Sequence, residues 1–119
     1  MTAPFDSPPP AEWVAIGAAA DVPRQGARVV RTPRGEVAIF RTAADAYYAL
    51  DNRCPHRGGP LSEGIVHGTS VTCPLHNWVI DLATGNALGA DEGCVARMAV
   101  KVEAGRLYLE LASLAVLSP

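Results

Sequence analysis

The sequence predicts an all-β domain with a small lobe inserted into it, and three observations lead there. Ten prolines and eleven glycines among 119 residues favour a loop-rich chain, because both residue types punctuate regular structure. Short stretches of alternating polar and apolar residues recur on either side of a central segment, with the two-residue period of a half-buried strand. No stretch sustains the 3.6-residue apolar period of a long amphipathic helix. With 49% of its residues apolar, a chain of this length fits one domain with a real core.

The elements follow in order. Residues 1–11 run into Ser7, Pro8, Pro9 and Pro10 and are expected to form an extended, mobile lead. Residues 12–16 read as a first strand and residues 28–32 as a second, followed by a turn at Pro33, Arg34 and Gly35. Residues 36–41 read as a half-buried strand, and residues 46–50 as a further strand after a polar break. Phe40, Tyr47 and Tyr48 are expected to serve the strand core. Residues 51–94 then hold all three cysteines, all three histidines and most of the glycines, and this segment is the predicted lobe. A short helical turn fits at residues 6–13 or 61–64. The strand pattern returns at 98–102, turns at Gly105 and resumes at 107–111. The domain is thus expected over 12–112, with 113–119 as a C-terminal tail.

Composition narrows the function. Nine arginines and one lysine stand against twelve acids, for a formal net charge of −2. Nucleic-acid binding needs a basic stripe, so it is not expected. No window approaches the roughly 20 apolar residues of a membrane-spanning helix, and no membrane partner is expected. Residues 1–6 lack a charged region followed by an apolar one, so no secretory signal is read and the cytoplasm is the expected location. An odd count of cysteines, Cys54, Cys73 and Cys94, does not point to a disulfide framework, and a metal role suits a reducing compartment better.

The chemistry gathers in two loops. Cys54-Pro55-His56 and Cys73-Pro74-Leu75-His76 each place one thiol and one imidazole on a tight turn, with 16 residues between His56 and Cys73. Gly58, Gly59 and Pro60 follow the first pair; glycine lets backbone approach a bulky inorganic group, and proline stiffens the loop. Two thiolates and two neutral imidazoles suit a two-iron cluster with mixed ligands, in which imidazole on one iron raises the reduction potential. The same side chains suit zinc, although zinc sites more often begin with two cysteines spaced by two to four residues. A Cys–His nucleophile needs only one such pair, and buried structural thiols leave the duplication of the pairs without a reason.

The stretches Cys54-Pro55-His56-Arg57-Gly58-Gly59-Pro60-Leu61 and Cys73-Pro74-Leu75-His76-Asn77-Trp78 resemble the two halves of the Rieske [2Fe-2S] motif. The resemblance implies an antiparallel β sandwich with a small cluster-binding lobe. It also implies that Cys54 and Cys73 hold one iron of a [2Fe-2S] cluster, and His56 and His76 the other. Residues 51–64, residues 73–85 and the stretch Asp91-Glu92-Gly93-Cys94-Val95 further resemble the small subunit of NAD(P)H-dependent nitrite reductase. That implies an accessory electron-transfer subunit, not catalytic alone. Its partner would be a large catalytic subunit carrying flavin, a four-iron cluster and siroheme, reducing nitrite to ammonium in nitrate assimilation. The alternative is a free Rieske ferredoxin feeding a ring-hydroxylating oxygenase. No G-x-G-x-x-G follows a strand, and no acid–base pair for turnover is evident.

The resemblance also bears on redox tuning. Rieske proteins of respiratory complexes carry a further cysteine in each loop, joined as a disulfide, where this chain has Gly59 and Leu75. They also offer Ser and Tyr hydroxyls after the second histidine, where Asn77, Trp78 and Val79 stand here. With fewer donors to the cluster sulfurs the added electron is less stabilised, which implies a potential at the low end of the Rieske range. His56 and His76 would form the docking tip, rimmed by Arg53, Arg57, Asn77 and Trp78. Trp78 is expected to pack under its own loop, His67 to lie at a surface or turn, and Cys94 to be a small buried hydrophobe. The acids of residues 51–94 outnumber the bases by three, ordinarily a solvated face and at most a means of steering a basic partner.

Overall fold

Strand β3 (Gly35–Arg41) organises the molecule. It pairs antiparallel with β2 (Gly26–Thr32) on one side and β4 (Tyr47–Asp51) on the other. The computed structural model describes residues 13–32, 35–54, 60–74, 78–88 and 93–110. The expected N-terminal lead and C-terminal tail lie outside them, as does nearly all of the helical turn expected at 6–13. Val37, Ala38, Ile39 and Phe40 are all fully buried. A half-buried strand is expected here from the sequence, but both faces of β3 are covered. Val37 and Ile39 join Ala49, Met98, Leu107 and Leu109 in one core. Ala38 and Phe40 join Leu50, Leu61, Val71 and Ile80 in another. A strand covered on both faces reads as a continuous apolar run. Each of its large side chains contributes about 1.5–3 kcal/mol by leaving water.

The first core lies against the sheet of β1 (Trp13–Ala18), β10 (Arg106–Glu110) and β9 (Val100–Glu103), in that order. The chain crosses between sheets at Ala99. Strand β8 (Arg97–Met98) pairs with β4, whereas β9 pairs with β10. The single strand expected at 98–102 is therefore two, as happens where a strand switches sheets at a sandwich corner. On the β1–β10–β9 sheet Lys101 lies 4.6 Å from the Trp13 ring centroid and 5.7 Å from that of Tyr108.

The second core lies under the lobe, a sheet of β5 (Ile65–His67), β6 (Ser70–Thr72) and β7 (Val79–Asp81). Val66, Val71 and Ile80 lie opposite one another in register and are buried. Their neighbours Ile65, Thr72 and Val79 form the next row on the opposite face. All three sheets are antiparallel, so the chain is an all-β sandwich with an inserted lobe. Among the described residues the only helical pieces are two 3-10 turns, Ala19–Asp21 and Leu61–Glu63. The second falls where the sequence allows one. No helix among the described residues is long and apolar enough to cross a membrane.

At the far end of β3, Arg41 and Arg24 both reach Asp45, at 2.8 Å and 3.0 Å. Asp45 has φ 64°, a left-handed conformation that Asp tolerates better than most residues.

Candidate iron–sulfur site

Strand β4 delivers the chain to Cys54 through a hydrogen-bonded corner. The Asn52 N–H donates to the Glu36 carbonyl at 3.0 Å, and the Arg53 N–H to the Asp51 carbonyl at 2.7 Å. The Asn52 side chain then spans the loop that Cys54 opens. Its Oδ1 accepts the Ser62 N–H at 2.7 Å, and its Nδ2 donates to Glu36 Oε1 at 3.2 Å. After the turn Leu61–Glu63, Gly64 lies so near β6 that a Cβ there would run into the Thr72 carbonyl oxygen. Thr72 immediately precedes Cys73, so this approach fixes the end of the first loop beside the start of the second. The Cys73 N–H donates to the Trp78 carbonyl at 2.7 Å, which closes the second loop at its base.

Both loop cysteines are out of water. Cys54 is 1% exposed and Cys73 0%. Neither is joined in a disulfide, and both belong to the core beneath the lobe, together with Leu61, Val66, Val71 and Leu82. Thiolate ligands in a dry, apolar shell suit an iron–sulfur cluster, whose potential such a shell tunes. The donors present therefore fit the group. His56 and His76 lie outside the described residues, as do Arg57 and Asn77. Among the described residues no group of three or more His, Cys, Asp or Glu stands close enough to hold a metal.

The neighbouring residues divide. Trp78 is half-buried and packs against the same core as the thiols, as expected of a residue lying under its loop. His67 is exposed at the end of β5, its Nε2 2.7 Å from Thr72 Oγ1. Cys94 is exposed, a correction to the expected buried hydrophobe. It pairs with Asn86 across an isolated bridge at the surface of the lobe, so no core is left for its side chain to enter. Asn52 and Gly64 are not singled out by the sequence. An asparagine entering a loop is a signal for local side-chain bonding, but its partner ten residues on depends on the path of the loop. A groove of about 230 Å³ runs along β4 and β8, lined by Tyr47, Leu82, Arg97 and Met98 among others. Among the described residues no acid, histidine or cysteine lines it.

The Rieske [2Fe-2S] domain model matches residues 12–99, a span that includes both cysteine loops. The chain belongs to the Rieske [2Fe-2S] family. A [2Fe-2S] cluster is accordingly its cofactor, and electron transfer its chemistry. The ferredoxin component of the naphthalene 1,2-dioxygenase system from Pseudomonas aeruginosa is 30% identical over 84% of this Rieske chain and 96% of its own length. The 4β-methylsterol monooxygenase of Methylococcus capsulatus is 46% identical over 50% of the chain, which spans only 16% of that longer protein. Among solved structures, a chain from the complex of reduced oxygenase and oxidized ferredoxin of carbazole 1,9a-dioxygenase superposes with a TM-score of 0.73. It is 27% identical, over 82% of the Rieske chain and 92% of that chain. A protein assigned as the NADH-dependent nitrite reductase small subunit of Mycobacterium tuberculosis superposes with a TM-score of 0.74 at 24% identity. It covers 83% of this Rieske chain and 94% of its own.

Proposed function

We propose that this Rieske chain is the small, electron-transferring subunit of a cytoplasmic NAD(P)H-dependent nitrite reductase that reduces nitrite to ammonium in nitrate assimilation. Its partner is the large catalytic subunit with flavin, a four-iron cluster and siroheme. Cys54 and Cys73 would hold one iron of the [2Fe-2S] cluster, and His56 and His76 the other. When bound, the cluster supplies one-electron redox chemistry. The chain's own residues keep water from the thiolates and hold the two loops in place.

The observation that carries the finer reading is the segment after the second loop. The stretch that resembles nitrite reductase small subunits ends at Val95, and the structure builds its described part as a defined element. Gly85, at φ 79°, packs directly on the Val95 carbonyl. The Val95 N–H donates back to the Gly85 carbonyl at 2.7 Å, and the Ala87 N–H to the Gly93 carbonyl at 2.9 Å. The described part of that stretch is thus held against Gly85 and Ala87 with Gly93 and Cys94 exposed, where a dedicated partner would read them. The fold shared with the Mycobacterium tuberculosis protein is compatible with this reading and, at 24% identity, says nothing finer.

A second reading is favoured by a different observation, the 30% identity along nearly the full length of a dioxygenase ferredoxin. In that reading the same site feeds a ring-hydroxylating oxygenase. Reconstitution separates the two. The reduced chain is supplied in parallel to a siroheme-containing large subunit and to a terminal oxygenase with its substrate. Nitrite-dependent oxidation of reduced nicotinamide that rises when the chain is added supports the subunit reading. Unchanged nitrite reduction together with oxygenase turnover overturns it in favour of the ferredoxin.

A further inference from the structure

We propose that Asn52 is a positioning residue for the iron–sulfur site, a polar latch that joins the two described ends of the first ligand loop and thereby sets the two thiolates relative to each other. The proposal rests on the ligand assignment above. Its basis is a connected path. Asn52 stands two residues before Cys54, and its Oδ1 takes the Ser62 N–H at 2.7 Å. Cys54 and His56 lie in the sequence between the two bonded residues. The Leu61–Glu63 turn carries the constraint onward, with the Glu63 N–H on the Pro60 carbonyl at 3.1 Å and the Gly64 N–H on the Leu61 carbonyl at 2.9 Å. Gly64 then rests on the Thr72 carbonyl, next to Cys73. The position of one thiol is thus tied to the other through Asn52, Ser62, Gly64 and Thr72.

The other end of the latch is anchored in the central sheet. The Asn52 backbone N–H and side-chain Nδ2 both donate to Glu36, to the carbonyl at 3.0 Å and to Oε1 at 3.2 Å. Glu36 Oε2 lies 3.9 Å from Arg31 Nη2. The position therefore calls for a side chain that accepts on one side and donates on the other, and a carboxamide does both without charge. An aspartate would still accept from Ser62 but would set a second carboxylate against Glu36. A group pinned from both sides reorganises little, and rigid surroundings fix the orientation of metal ligands.

The test uses the full chain with its cluster and compares Asn52→Ala, Asn52→Asp, Glu36→Gln and the double variant N52D/E36Q. Four readouts are taken: the rate of iron release to an excess of a ferrous chelator, the electron paramagnetic resonance spectrum of the reduced protein, the midpoint potential and the denaturant midpoint. Iron release should be about tenfold faster in Asn52→Ala, the factor expected for a hydrogen bond of ordinary net strength. The reduced spectrum of that variant should broaden. Asn52→Asp should also release iron faster. Glu36→Gln should stay within about twofold of the parent, because its amide oxygen still accepts. The double variant should recover the parent spectrum and release rate, the amide at 36 now donating to the carboxylate at 52. Where Asn52→Ala does not fold, the comparison of Asn52→Asp with N52D/E36Q decides. A parent chain that binds the cluster, with variants that shift only the denaturant midpoint, overturns the latch alone. Failure of the double variant to recover does the same. A parent chain that takes up no [2Fe-2S] cluster overturns the ligand assignment and the latch with it.

Discussion

Gly64 sits directly against the carbonyl oxygen of Thr72, with no room for a side chain between the end of one cysteine-bearing loop and the start of the next. The constraint is one of space, since Gly64 has φ −79°, a value open to any residue. Gly64→Ala should therefore act through overpacking, with a cost of about 1–3 kcal/mol. Chemical denaturation measures the loss, and iron content per chain should fall with it. An alanine variant with the parent's denaturant midpoint and full iron content would show that the loops are not held at this point.

Single substitutions test the ligand set. Cys54→Ser, His56→Ala, Cys73→Ser and His76→Ala should each abolish or severely reduce the visible absorbance of the purified protein. Cys94→Ser should leave it intact, because Cys94 is exposed and stands apart from the buried pair. A protein that kept its cluster after loss of His56 or His76 would require another second-iron ligand.

The electron should be held weakly. The resemblance to Rieske proteins sets Gly59 and Leu75 at the loop positions of the bridging cysteines, and Asn77, Trp78 and Val79 offer no hydroxyl after the second histidine. A redox titration is expected to give a midpoint near the low end of the Rieske range, about −150 mV rather than about +300 mV. A clearly positive midpoint would mean that donors to the cluster come from elsewhere in the chain.

Acid should loosen the far end of the central sheet. Hydrogen bonds from Arg24 and then Arg41 hold the Asp45 carboxyl below the ordinary carboxylate range. The unfolded chain takes up a proton there more readily than the folded chain. The stabilisation is therefore complete above the ordinary carboxylate pKa and is lost as pH falls through the lower folded value. Asn tolerates the left-handed conformation of Asp45, so Asp45→Asn removes the charge without backbone strain. The stability gap between parent and variant, followed by denaturant unfolding from about pH 6 to about pH 2, should narrow towards acid. A gap that stayed constant would exclude Asp45 as its source.

Different parts of this molecule were legible in the sequence to different degrees, for physical reasons. The all-β class and the two thiol loops could be read because both are local patterns: an alternation of period two, and a pair of donors within one turn. The burial of β3 on both faces was signalled only by the unbroken run Val37 to Phe40. What covers its second face is the lobe, a segment that follows it in the chain. The break at Ala99 was hidden because Met98 and Val100 look like members of one strand although they serve different sheets. Cys94 looked buried by residue type, and its exposure follows from a surface bridge to Asn86. Asn52 was the hardest to read, since its role depends on where the chain stands ten residues later.

Lys101 is the only lysine in the chain. Its ammonium rests over Trp13 and Tyr108, on the sheet that carries neither cysteine loop. Amine-reactive chemistry therefore has a single side-chain target. A dye or a solid support attached there would leave the lobe, with its redox site, free to meet whatever is brought to it.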